Sequence, residues 1–129
     1  MEVDLSLRAG EIDHRLSYQW QRGEDDAGNT LADLNPPGWR YFLNWRRERQ
    51  SLSSDLSYRA SRDDFGAEEM PLDSAWIWNA QITQELSPAW QGELFISNIL
   101  DESYRATADD TAPLQPGRIF GVRLLWNPS

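Results

Sequence analysis

The sequence has no cysteine, which excludes disulfides and thiolate metal sites. It has one histidine, His14, and all twelve of its basic residues are arginine. A His-based metal cluster or an acid–base triad therefore has almost nothing to assemble from. No stretch approaches the ~20 consecutive apolar residues of a membrane helix. Residues 1–10 are acidic and lack the basic start and apolar run of a secretory leader. There is no glycine-rich phosphate loop, no nucleophile elbow and no pair of carboxylates placed for catalysis, so neither an enzymatic activity nor a cofactor is expected. The formal charge of -9 over 129 residues argues against a general nucleic-acid binder, which needs a basic face to neutralise phosphates.

Aromatic residues are plentiful: 7 Trp, 4 Tyr and 4 Phe. Hydrophobic residues make up 40%, too many for a disordered acidic chain, yet the mean hydropathy is only -0.68. Apolar and polar residues are thus interleaved along the chain. Seven segments alternate with period two, the signature of strands with one apolar and one polar face. The clearest sets Ile12, His14, Leu16, Tyr18 and Trp20 against Asp13, Arg15, Ser17, Gln19 and Gln21. Further alternating segments fall at about 3–9, 39–46, 52–61, 75–83, 90–97 and 119–126. A stripe of helical period is not evident in any segment of comparable length.

The connections alternate between short (10–11, 47–51, 84–89) and long (22–38, 62–74, 97–118). Successive connections of an up-and-down meander lie on opposite rims, so the short turns share one rim and the long loops the other. That asymmetry, with polar residues facing inward and apolar ones outward, is the pattern of a transmembrane β-barrel. Charge follows the same division. With the third taken as 99–117, each long loop has one Arg against four or five carboxylates, and together they carry -10, leaving +1 for the remainder. The acidic pairs Asp25–Asp26, Asp63–Asp64, Glu68–Glu69 and Asp109–Asp110 could in principle collect Ca²⁺, which takes six to eight oxygen ligands. None has the spacing of a dedicated calcium loop, and a solvated charged rim is the preferred reading. Tyr18, Trp20, Trp39, Tyr41, Trp45, Tyr58, Trp76, Trp78, Trp90 and Trp126 fall near strand ends, where an interfacial aromatic girdle would place them. A soluble β-rich domain that uses exposed aromatics to bind carbohydrate or protein is the competing class, since its strands alternate too.

Two short stretches are more specific. Residues 90–104, WQGELFISNILDESY, contain Asn98, Asp101 and Tyr104 at the spacing of an Asn-Leu-x-Asp-x-x-Tyr signature, with Ile99 and Leu100 as the apolar pair. Residues 116–126, PGRIFGVRLLW, enter the last segment through Pro116, Gly117 and Arg118. Both resemble the C-terminal end of TonB-dependent outer-membrane receptors, and residues 71–86 look like that family's preceding strand. The resemblance implies that residues 1–129 are the C-terminal part of a receptor barrel of ~22 strands, with the plug domain and earlier strands outside this chain. It implies outer-membrane lipid around the wall and contact with TonB only through the plug. The cargo it implies is a scarce ligand such as a ferric siderophore or cobalamin. Family barrels end on an aromatic residue; Trp126 stands in that place but is followed by Asn127, Pro128 and Ser129.

Overall fold

The computed structural model describes residues 1–24, 26–28, 36–63, 70–106, 108 and 111–128. Its strands are β1 (Glu2–Ala9), β2 (Ile12–Gln19), β3 (Gly38–Arg47), β4 (Gln50–Arg59), β5 (Ala75–Ser87), β6 (Trp90–Ser97) and β7 (Ile119–Trp126). They form one antiparallel sheet in sequence order, β1 to β7, each strand paired with its neighbour in the chain. This is the seven-stranded meander that the alternation predicts.

The pairing keeps every strand in phase. Val3 lies opposite Tyr18, Tyr18 opposite Trp39, Trp39 opposite Tyr58 and Tyr58 opposite Trp76. Farther along the strands, Leu52 lies opposite Ile82, Ile82 opposite Leu94 and Leu94 opposite Val122. Because side chains alternate across a strand, this register gathers a mainly apolar face on one side and sets Arg15, Arg40, Asp55, Asn79, Glu93 and Arg123 on the other, with Phe42, Ile77 and Phe95 among them. An open hollow of about 510 Å³ is reached by side chains from Arg15 on β2 to Arg123 on β7, so the sheet is concave on its polar side.

Three two-residue turns join the hairpins, at Gly10–Glu11, Glu48–Arg49 and Pro88–Ala89. Gly10 and Glu48 take φ of 63° and 47°, the positive values that tight hairpin turns require. The last turn is shorter than the connection expected at 84–89. Strand β5 runs on to Ser87 through an irregularity between Glu85 and Ser87. A bulge adds one residue to one strand and so breaks the strict alternation by which a sequence reveals a strand.

Aromatic pairs bind the two rims of the apolar face. Trp76 meets Trp39 edge-on at 5.2 Å between centroids and Tyr58 at 4.9 Å on the long-loop side. Trp90 stacks on Trp126 at 6.1 Å on the short-turn side. Such cross-strand aromatic pairs each stabilise a sheet by about 0.2–1 kcal/mol.

Within the polar face, Phe95 lies directly opposite Gly121. Its ring covers the space that a Cβ on Gly121 would occupy. Here the glycine supplies room rather than turn geometry, and the aromatic ring shields a strand weakened by the missing side chain. Gly121→Val is expected to lower stability by about 1–3 kcal/mol through overpacking. The denaturant midpoint of the folded protein checks this, and Phe95→Ala combined with Gly121→Val should recover part of the loss.

Candidate functional site: the polar face and the long-loop rim

The polar face is an ordered network. Arg40 on β3 holds the Asp55 carboxylate on β4 at 3.1 Å. The Asn79 amide on β5 donates to the same carboxylate at 3.2 Å. The Asn79 carbonyl oxygen accepts the Asn98 backbone N–H at 2.9 Å. A hydrogen-bonded path therefore crosses three strands and ends at the start of the β6–β7 connection. Beside it, Arg123 holds Glu93 at 2.9 Å. Glu93 is 6% exposed, and a buried carboxylate needs such a partner. The Arg40 guanidinium lies 4.8 Å from the Phe42 ring centroid, so the charge also rests on an aromatic face.

Asn98, Asp101, Pro116, Gly117 and Arg118 meet at one corner. Asn98 is 4% exposed and its side chain makes three bonds to backbone. Its Nδ2 donates to Glu102 O at 2.9 Å and to Pro116 O at 3.2 Å, while its Oδ1 accepts from Glu102 N at 3.0 Å. Asp101 Oδ1 accepts the Arg118 backbone N–H at 2.8 Å, and its carboxylate lies 3.8 Å from the Arg118 guanidinium. A Cβ on Gly117 would stand 2.8 Å from Asp101 Oδ1. Two motifs far apart in sequence are thus halves of one structure. Trp126 is elsewhere, at the opposite rim against Trp90, and Asn127 N donates to Ala89 O at 2.9 Å.

Tyr104 stands higher on the long-loop rim, where the Arg59 guanidinium lies 5.8 Å from its ring. Arg59 Nη1 donates to Arg105 O at 2.5 Å and Ala106 O at 3.3 Å, and its Nη2 donates to Asp73 O at 3.3 Å. One side chain at the end of β4 therefore ties the β4–β5 connection to the β6–β7 connection. Met70 N donating to Ala108 O at 2.8 Å adds a second tie, and isolated bridges pair Arg62 with Leu72 and Arg105 with Leu114. The alternation over 52–61 sets Arg59 on the polar side of its strand but carries no signal of this role, because its partners are backbone carbonyls of distant residues.

His14 sits on the apolar face, with its Nδ1 2.6 Å from the Tyr41 hydroxyl. Among the described residues no group of three or more His, Asp or Glu side chains could hold a metal ion. Of the acidic pairs, Asp25, Asp64, Glu68, Glu69, Asp109 and Asp110 lie outside the described residues. On the polar face Arg40, Asp55, Asn79, Glu93 and Arg123 are committed to one another. The arrangement is that of a braced wall carrying a rim of loops.

Removing the Arg59 tie should loosen the rim without unpairing the sheet. Arg59→Ala is expected to raise trypsin cleavage after Arg105 several-fold, since cleavage tracks the population of the open form. Mass analysis of the early fragments checks the position of the cut.

No family model matches the chain, and no curated protein sequence matches it. Among solved structures it is similar to the copper transporter OprC, with a TM-score of 0.82 and 13% identity. The match covers 97% of this chain and 22% of that one, so the chain spans about a fifth of the length of this structural neighbour. At that identity the likeness is one of fold: the seven-stranded meander superposes on a section of a β-barrel.

Proposed function

We propose that this chain is a section of the wall of an outer-membrane transport barrel, completed by strands beyond the seven described here. The observation that carries the reading is the apolar face. Leu5, Leu7, Leu16, Ile82, Leu94, Phe120, Val122 and Leu124 are all exposed there, from 42% to 80%. The buried apolar residues among those described, Pro36, Leu72, Ala75 and Ala108, lie at the long-loop end. A continuous apolar face of this extent on a soluble protein marks a surface that something covers; lipid covers such a face on a barrel. Two pairs of polar groups on that face satisfy each other, as hydrocarbon demands: His14 with Tyr41, and Trp78 Nε1 with Ser54 Oγ at 2.9 Å.

The signature at Asn98, Asp101 and Tyr104, the Pro116-Gly117-Arg118 entry and the aromatic Trp126 support assignment to the C-terminal end of a TonB-dependent receptor barrel. On this reading the chain meets outer-membrane lipid and the rest of the barrel, encloses a plug domain, and answers to TonB only through that plug. The motifs point to a siderophore- or cobalamin-type cargo. The fold neighbour carries copper, and that cargo is not transferred to this chain. The wall contributes the braced long-loop rim that frames the external mouth.

The protein is expected in the outer-membrane fraction, running as a heat-modifiable band. Ile82→Arg, on the apolar face, should destabilise the folded form by about 2–4 kcal/mol, whereas Gln81→Arg on the polar face should cost little. Recovery as a folded, detergent-free monomer, with the two substitutions equivalent, would overturn the assignment.

A further inference from the structure

In three of the hairpins a two-residue turn dictates which residues of the two strands lie opposite each other, because turn type and loop length fix register. The β6–β7 hairpin has no such turn, since residues 98–118 separate its strands. The apolar pattern does not choose the register either. A slip by one residue would exchange the faces, but a slip by two would leave Phe120, Val122, Leu124 and Trp126 on the apolar side.

The corner described above stands where a turn would. Asn98 follows the last residue of β6, and Arg118 precedes the first residue of β7. Ser97 and Ile119 are opposite each other. Asn98 and Asp101 both adopt left-handed conformations, with φ of 52° and 57°, which Asn and Asp tolerate better than other non-glycine residues. The chain thereby folds back within four residues of β6, and Asp101 N donates to Asn98 O at 2.9 Å. Asp101 then takes the amide that leads into β7, while Asn98 takes the Pro116 carbonyl two residues earlier. The corner thus closes the base of the connection between β6 and β7.

We infer that the Asn98–Asp101 corner is a register clasp: by capturing the Pro116 carbonyl and the Arg118 amide, it sets the pairing of β7 against β6. The captured amide carries this role. The Asp101–Arg118 ion pair is 3.8 Å long between side chains 56% and 43% exposed, a geometry that contributes little. Gly117 is required because any Cβ would press on the capturing oxygen. Glu93–Arg123 and Phe95–Gly121 favour the same register once pairing has begun. The clasp does not depend on whether lipid or water lies against the apolar face.

The native chain has no cysteine, so paired cysteines can report the register in the intact protein. Leu94→Cys with Val122→Cys reports the observed register. Leu94→Cys with Phe120→Cys or with Leu124→Cys reports slips by two residues. Asp101→Ala is expected to shift the ratio of observed to slipped cross-link by about tenfold, since a hydrogen bond to a charged group contributes roughly 1.5–3 kcal/mol. Asp101→Asn, which keeps an acceptor, and Arg118→Ala, which keeps the amide, should both retain the native ratio. Gly117→Ala should behave like Asp101→Ala and supplies the answer if the latter does not accumulate. An unchanged ratio in both Asp101→Ala and Gly117→Ala would falsify the clasp. So would a slip in Arg118→Ala as large as that in Asp101→Ala, which would assign register to the ion pair.

Discussion

A one-layer sheet has two faces and no interior, so its strands can be useful only if their alternation stays in phase from one edge to the other. The structure depends on that phase. Each ladder from β1 to β7 keeps it: Leu5 lies opposite Leu16, Leu16 opposite Tyr41, Tyr41 opposite Leu56 and Leu56 opposite Trp78, as Ile82 lies opposite Leu94 and Leu94 opposite Val122. A slip of one residue in any ladder would put Arg, Asp or Glu on the apolar side and Leu or Trp on the concave side. The irregularity in β5 falls between Glu85 and Ser87, at the short-turn rim, where a phase change touches the fewest cross-strand pairs.

The polar face shows how the same constraint handles charge. Arg40 with Asp55 and Arg123 with Glu93 are cross-strand or near-diagonal pairs, the geometry in which opposite charges stabilise a sheet. Phe42 and Phe95 sit among them and give guanidinium groups an aromatic surface. An Arg-only basic complement suits this arrangement, because a planar guanidinium can hold a carboxylate and lie over a ring at once.

Period-two alternation made the strands legible in the sequence, and short against long connections made the rims legible. Both signals are local, so they survive without any knowledge of contacts. The end of β5 was not legible, because a bulge interrupts the alternation that marks a strand. The motif residues Asn98, Asp101, Pro116, Gly117 and Arg118 could be picked out by spacing. Their meeting at one corner could not, since a long stretch of sequence separates them. Arg59 was hidden for a similar reason: carbonyl acceptors leave no trace in side-chain identity, and its partners lie on two different connections.

β1 and β7 each have one neighbour in the sheet, and that has a consequence for backbone protons. In an antiparallel strand, successive amides point alternately to the two sides, so about half of those in β7 point away from β6. With that edge open they would trade hydrogen for deuterium with little protection, while the other half exchanged only when the β6–β7 ladder opened. A strand laid along β7 would bring the two sets together. Exchange at alternate residues from Ile119 to Trp126 therefore records whether the wall is closed, amide by amide.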